Sequence, residues 1–373
     1  MEPARKSDVM KPEPRQELLN IIAYKPGESE IPGHETVIKL ASNESPLGPS
    51  PKAVAAIRDH LGHLELYPDG GSVKLVRAIA ETHGLDPAHV LAASGSEQLL
   101  GFIVRAYLAP GDEAIHTAHG FLVYKIATLA AGAAPVAVPE ADYTADVDAI
   151  LGAVTERTKI VFLANPNNPT GTVVPYSEVK RLREGLPDRV LLVLDVAYAE
   201  YLDRPDYDAG DNLVRAAIAS GLDNVIVTRT FSKIYGLAAL RIGWAHLPPT
   251  ASDAINRIRE VFNVSTLAQA AGIAAVADQD HVAAARAHNA RWLPWLTQEL
   301  TVLGVHVVPS AGNFLLARFA GGPEEAAEAD AHLRENGIIV RPVAGYGLAD
   351  CLRITVGSEA QNHALIAALR KRG

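Results

Sequence analysis

The stretch IVFLANPNNPTG, residues 160–171, decides how the chain folds. Its first five residues, Ile160–Ala164, are apolar without alternation, as a strand covered on both faces is. Pro166, Pro169 and Gly171 then close a tight loop at the strand's carboxyl end. The same unit recurs outward from this point. Apolar runs at Val90–Ala93, Ala114–Thr117, Pro135–Val138, Val190–Leu194, Val225–Thr228 and Ile242–Ala245 read as strands. Helical periodicity runs through Pro51–His60, Val73–Thr82, Glu97–Tyr107 and Ser177–Glu184. That alternation predicts an α/β domain on a mostly parallel sheet.

Beyond Asn256 the pattern changes. A long Ala-rich helical stretch, Leu267–Leu303, precedes strands at Val305–Pro309 and Phe314–Phe319. A helix near Ala326–Glu335, strands at Ile338–Arg341 and Leu352–Val356, and a closing helix from Ala360 complete a smaller α+β domain. The expected division is an arm at 1–45 that contributes to the small domain, a large domain at 46–256 and a small domain at 257–373. Pro12 and Pro14 discourage a helix in the arm, and Lys25–Gly33 reads as extended chain crossing a surface.

Composition narrows the function. The 373 residues carry a formal charge of −9, which argues against a general nucleic-acid binder. A single cysteine, Cys351, excludes an internal disulfide and a multi-thiolate metal site. Residues 1–16 lack the apolar run of a signal peptide, and no run reaches membrane-spanning length. A cytosolic protein is expected.

The chemistry gathers at strand ends. Thr230-Phe231-Ser232-Lys233 follows the strand Val225–Thr228, with Arg241 eight residues after the lysine. At the carboxyl edge of an open α/β sheet, where ligands bind, such a lysine can form an imine with an aldehyde cofactor. Nearby hydroxyls and a guanidinium can hold a phosphate. Asn165 enters its loop with an amide to offer a ligand. Asp195, ending an apolar strand with Tyr198 close behind, is costly unless a cation such as a protonated pyridine nitrogen meets it. Ser94-Gly95-Ser96-Glu97 opens a helix whose amides can approach an anion. Each feature has a plainer reading: a solvated lysine, a simple turn, a salt bridge, a helix cap. Their recurrence at successive strand ends favours a site.

With these residues in view, the sequence resembles the fold-type-I aminotransferases, and more closely the histidinol-phosphate aminotransferase family, from about Tyr24 to the last helix. The landmarks are Asn43-Glu44-Ser45-Pro46-Leu47-Gly48-Pro49, Tyr67-Pro68-Asp69-Gly70, Asn165 to Gly171, Thr230 to Arg241, and Leu352-Arg353-Ile354-Thr355-Val356-Gly357. The resemblance implies pyridoxal 5′-phosphate as cofactor, held by Lys233 as a Schiff base, with Lys233 also moving the proton at the substrate's Cα. It implies Asp195 against the pyridine nitrogen, Asn165 and Tyr198 on the phenolic oxygen, and Phe121 stacked on the ring. Thr230, Ser232, Arg241, Gly95, Ser96 and Glu97 would surround the cofactor, mostly around its phosphate. Tyr67 would reach the phosphate of a neighbouring subunit's cofactor, which implies a homodimer. Tyr24, Asn43, Arg341 and Arg353 would contact substrate, Arg353 gripping a carboxylate and Arg341 a phosphate. Val196, Ala239 and Ser45 depart from the residues usual in relatives, and none removes a group the chemistry needs.

The expected reaction exchanges an amino group between L-histidinol phosphate and 2-oxoglutarate. A transaminase of phenylalanine or tyrosine is the nearest rival, and a decarboxylase of a phosphorylated amino acid shares the scaffold. A non-catalytic regulator would carry a DNA-binding module, which is not legible ahead of residue 40. Gly345-Tyr346-Gly347 lacks the third glycine of a dinucleotide fingerprint. His281 and His288 stand too far apart on one helix to share a metal, Cys351 reads as packing, and Arg257 with Arg259 as a solvated face.

Overall fold

Alternate residues of the apolar runs enter different cores, which is why the runs show no polar alternation. Ile160 and Phe162 pack with Leu191, Val193 and Ile226 on one side of a sheet. Val161 and Leu163 pack with Leu192, Leu194 and Val225 on the other. This computed structural model describes residues 12–19, 21–23 and 27–372, Glu17 by its backbone alone.

The large sheet has seven strands: β1 (Val90–Ala93), β2 (Glu113–Thr117), β3 (Ala134–Val138), β4 (Thr158–Ala164), β5 (Leu191–Asp195), β6 (Val225–Thr230) and β7 (Gly243–His246). Their order is β1-β7-β6-β5-β4-β2-β3, and β7 alone runs antiparallel to its neighbours. The mostly parallel sheet is as expected. Helices α1 (Pro51–His60), α2 (Val73–His83), α3 (Ser96–Tyr107), α4 (Leu122–Ala130), α5 (Tyr176–Gly185) and α6 (Asp211–Ser220) accompany it. The sequence reading did not name α4. Nor did it name α6, and in both helices the faces contrast about as strongly as in α3 and α5, so the period was there to be read.

The expected helical stretch Leu267–Leu303 is two helices, α7 (Thr266–Ala277) and α8 (Gln279–Val302). They break at Asp278, whose buried carboxylate takes hydrogen bonds from Ser50 Oγ and from Lys52 Nζ at the start of α1. The exchange of helical geometry for those bonds fixes the corner. Val282 and Ala285 of α8 pack with α2 and β7, whereas Trp292, Leu296 and Leu300 belong to the second core.

That second core lies under a four-stranded antiparallel sheet. Its strands are β8 (His306–Val308), β9 (Phe314–Arg318), β10 (Arg341–Val343) and β11 (Leu348–Thr355), in the order β8-β9-β11-β10. The single strand expected at Ile338–Arg341 is divided. Ile338–Ile339 pairs in parallel with Ile38–Lys39, and Arg341 opens β10 instead of ending the earlier strand. Leu40 brings the chain before residue 45 into this core. Among the described residues, no helix is long and apolar enough to cross a membrane.

Candidate active site

The carboxyl ends of β1, β2, β4, β5 and β6 face one cavity, lined by Ser96, Phe121, Asn168, Asp195, Tyr198 and Lys233 among others. This edge is where an open α/β sheet receives ligands. The small sheet and the segment 41–43 close the opposite side, through Asn43, Arg341 and Arg353.

One end of the cavity is built for an anion. Gly95, at φ 93°, caps α3 and turns its first amides toward the cavity. A Cβ on Gly95 would lie 2.6 Å from Arg241 Nη2, so only glycine lets the guanidinium settle over the helix start. Arg241 itself has φ 50°, and its Nη1 donates to Ser232 Oγ and to Ala238 O, each at 3.3 Å. Thr230 Oγ1 accepts the Ser232 amide at 3.1 Å. A guanidinium, two hydroxyls and helix amides therefore converge without a carboxylate bound among them. Glu97 lines the rim.

The middle of the cavity holds an acid and a base. Asp195 is buried, and burial pushes its carboxyl up to about 6 against the opposing pull of the Tyr124 hydroxyl. Tyr124 donates to Asp195 Oδ2 at 2.8 Å, and Oδ1 meets no hydrogen-bond donor among the described residues. An orphaned carboxylate oxygen costs free energy that a cationic N–H would recover. Burial depresses the half-buried Lys233 amine to about 7, with the Arg353 guanidinium adding to the effect. The amine donates to Ser42 O at 2.9 Å. Tyr198 accepts from Asn43 Nδ2 at 2.9 Å, which is how Asn43 reaches the site.

At the other end two arginines stand together. Arg341 of β10 and Arg353 of β11 are direct partners in the ladder. Adjacent like charges repel at that spacing, and an anion between them relieves the repulsion. Arg353 donates to Asn168 Oδ1 and to Ala41 O, each at 2.6 Å, so its fork is held in place.

Asn165 is not placed as expected. Both ends of its amide are engaged by one residue: Nδ2 donates to Val174 O and Oδ1 accepts from Val174 N, each at 2.9 Å. It clamps the loop, and Asn168 is the amide that faces the cavity. The loop's residue types could not say which asparagine turns inward. Tyr124 was also missed, although it lies one helical turn after Phe121. Tyr67 lies away from this chain's own cavity, stacked on Phe262 at 4.5 Å and 82% exposed. Tyr24 lies outside the described residues.

Residues 35–369 match the family model of aminotransferase class I and II. The chain belongs to that family. Within this aminotransferase family it is 50% identical to the histidinol-phosphate aminotransferase of Paramagnetospirillum magneticum over 361 residues, covering 96% of this chain and 98% of the relative. It is 51% identical to that of Dinoroseobacter shibae over 356 residues, covering 95% and 96%. The crystal structure of histidinol-phosphate aminotransferase from Sinorhizobium meliloti, in complex with pyridoxal-5′-phosphate, superposes with a TM-score of 0.84 at 32% identity, covering 91% of this chain and 92% of that one. The aminotransferase cavity described here fits that cofactor. It offers a phosphate cup, an unpartnered Asp195 oxygen for a ring N–H, and an amine of low basicity for an aldehyde.

Proposed function

We propose that this chain, with pyridoxal 5′-phosphate, moves the amino group of L-histidinol phosphate to 2-oxoglutarate, a step of histidine biosynthesis, giving imidazole acetol phosphate and glutamate. The Arg341–Arg353 pair carries the reading, because one fork suits glutamate's carboxylates and both suit a phosphate. When bound, the pyridoxal ring supplies an electron sink for charge developing at the substrate's Cα. Lys233 takes the proton from Cα and returns it on the cofactor side. Asp195 Oδ1 accepts the ring N–H and keeps that nitrogen positive. Phe121 packs on the ring, while Tyr198 and Asn168 hold its phenolic oxygen. Ser232, Arg241 and the amides of Gly95 and Ser96 hold the phosphate.

Arg341→Ala should lower kcat/KM for histidinol phosphate by roughly 30- to 100-fold, the scale of a broken charged pair moderated by the neighbouring Arg353. Phenylalanine has no phosphate, so its kcat/KM should change far less. Equal losses on both substrates would make Arg341 structural.

The Lys233 amine gives a pH prediction. Its neutral form attacks the aldehyde, and a pKa of about 7 leaves most of it neutral at pH 8. Capture of the cofactor by cofactor-free protein should therefore accelerate as pH rises through about 7 and level off above it. A rate still climbing steeply at pH 9 would mean the amine is not depressed.

A homodimer with shared sites belongs to the same proposal. Exposed Leu64, Leu66, Tyr67, Val261 and Phe262 form an apolar surface that a second copy would cover. Mixing inactive Lys233→Ala chains with an inactive Tyr67 variant should restore activity through one intact site per mixed dimer. Subunit exchange without recovery would contradict sharing. We place the boundary between large and small bodies within α8, later than residue 256, because that helix enters both cores. A cytosolic location is proposed from the single cysteine, Cys351.

A further inference from the structure

Tyr124 does two things at once. Its hydroxyl holds Asp195 Oδ2 at 2.8 Å, and its ring, 1% exposed, lies flat on Phe162 at 4.7 Å and edge-on to Phe121 at 5.9 Å. Stacking fixes the ring plane, so the hydroxyl cannot follow the carboxylate if the latter turns. With Oδ2 held by Tyr124, Oδ1 is the buried oxygen without a hydrogen-bond partner among the described residues. A hydroxyl donor also favours the ionised carboxylate over the protonated form that burial favours.

We infer that Tyr124 is a positioning residue that holds the Asp195 carboxylate in place for the cofactor's ring nitrogen. This rests on the reading that Asp195 meets that nitrogen. Without the hydroxyl, the buried carboxyl keeps the support of the Thr228 side chain and the Ala197 backbone alone, and takes up a proton more readily. It then loses its advantage for a pyridinium N–H. Removing the hydroxyl keeps the ring and its stacking on Phe162, so the fold and the Phe121 plate stay in place.

The test is equilibrium binding to cofactor-free protein of two probes: pyridoxal 5′-phosphate, and its analogue with carbon in place of the ring nitrogen. Wild type should bind the nitrogen ring more tightly by at least about tenfold, the scale of a hydrogen bond to a charged group. Tyr124→Phe should weaken pyridoxal 5′-phosphate by about tenfold while changing the carbon analogue by less than about twofold. In an Asp195→Asn background the same substitution should change neither. Equal weakening of both probes would make Tyr124 merely structural, and unchanged pyridoxal 5′-phosphate binding would make it idle; either overturns the inference. A wild type that binds both probes alike overturns the Asp195 pairing itself, and this inference with it. A wild type that discriminates, beside a variant that discriminates equally well, overturns the Tyr124 role alone. Melting temperatures of the variants check that the comparison is made on folded protein.

Discussion

Lys233→Ala should lower turnover by at least about 10⁴-fold, because in the proposed mechanism one side chain supplies both the covalent hold on the cofactor and the proton transfer at Cα. Among the described residues, the other cations lining the cavity are the guanidinium groups of Arg241, Arg341 and Arg353, and none is an amine that could replace it. The fold should survive. Among the described residues the wild-type amine donates to Ser42 O and lies 5.8 Å from the Tyr198 ring centre, and its burial already opposes its charge. Removing a cation from that place relieves a cost, so the variant should melt within a few degrees of wild type. Circular dichroism melting and stopped-time product assays on the same preparation check both halves. Turnover within a hundredfold of wild type would remove Lys233 from the centre of the site.

Asp195→Asn should lower kcat by roughly 100- to 1000-fold, or about 3–4 kcal/mol of transition-state stabilisation. The Tyr124 hydroxyl donates toward this side chain and so selects the amide's oxygen as its acceptor. The amide NH2 is then turned toward the cavity, where it meets a ring N–H with a donor instead of an acceptor. The ring nitrogen gives up its proton and the electron sink weakens. Stability should move the other way. The carboxyl's folded value of about 6 lies above its ordinary value of about 4, so cofactor-free wild type loses stability as pH rises through that window. The asparagine variant has no such loss and should melt above wild type at pH 7.5 when both lack cofactor. A kcat within twofold of wild type would dissociate Asp195 from the ring nitrogen.

The sheet was legible because most of its strands are covered on both sides. β1, β4 and β5 leave unbroken apolar runs over Val90–Ala93, Ile160–Ala164 and Leu191–Leu194, which end at Ser94, Asn165 and Asp195. The edge strand Ala134–Val138 was legible too, though it is more exposed. Helices α4 and α6 carry a facial contrast like that of α3, so a missing period does not explain why they went unread. The corner at Asp278 was hidden because the residues that break the helix there, Ser50 and Lys52, lie more than two hundred positions away.

The site was legible by residue type and less so by direction. Lysine, aspartate and arginine at strand ends announce themselves by the cost of placing charge there. Which of two asparagines turns inward depends on the loop's path: Val174 claims Asn165, and Arg353 binds Asn168. Tyr124 was hidden because a tyrosine on an apolar helix reads as core. Only its 2.8 Å bond to Asp195 separates it from one.

The cavity is proposed to serve a phosphorylated amine. The most direct measurement is kcat/KM of the purified wild-type chain for histidinol phosphate and for phenylalanine, each with 2-oxoglutarate as amino acceptor. If the Arg341–Arg353 pair receives the phosphate as proposed, histidinol phosphate should be favoured by at least about tenfold, the scale of one charged hydrogen-bonded contact. A preference for phenylalanine, or no turnover of histidinol phosphate, would contradict the account.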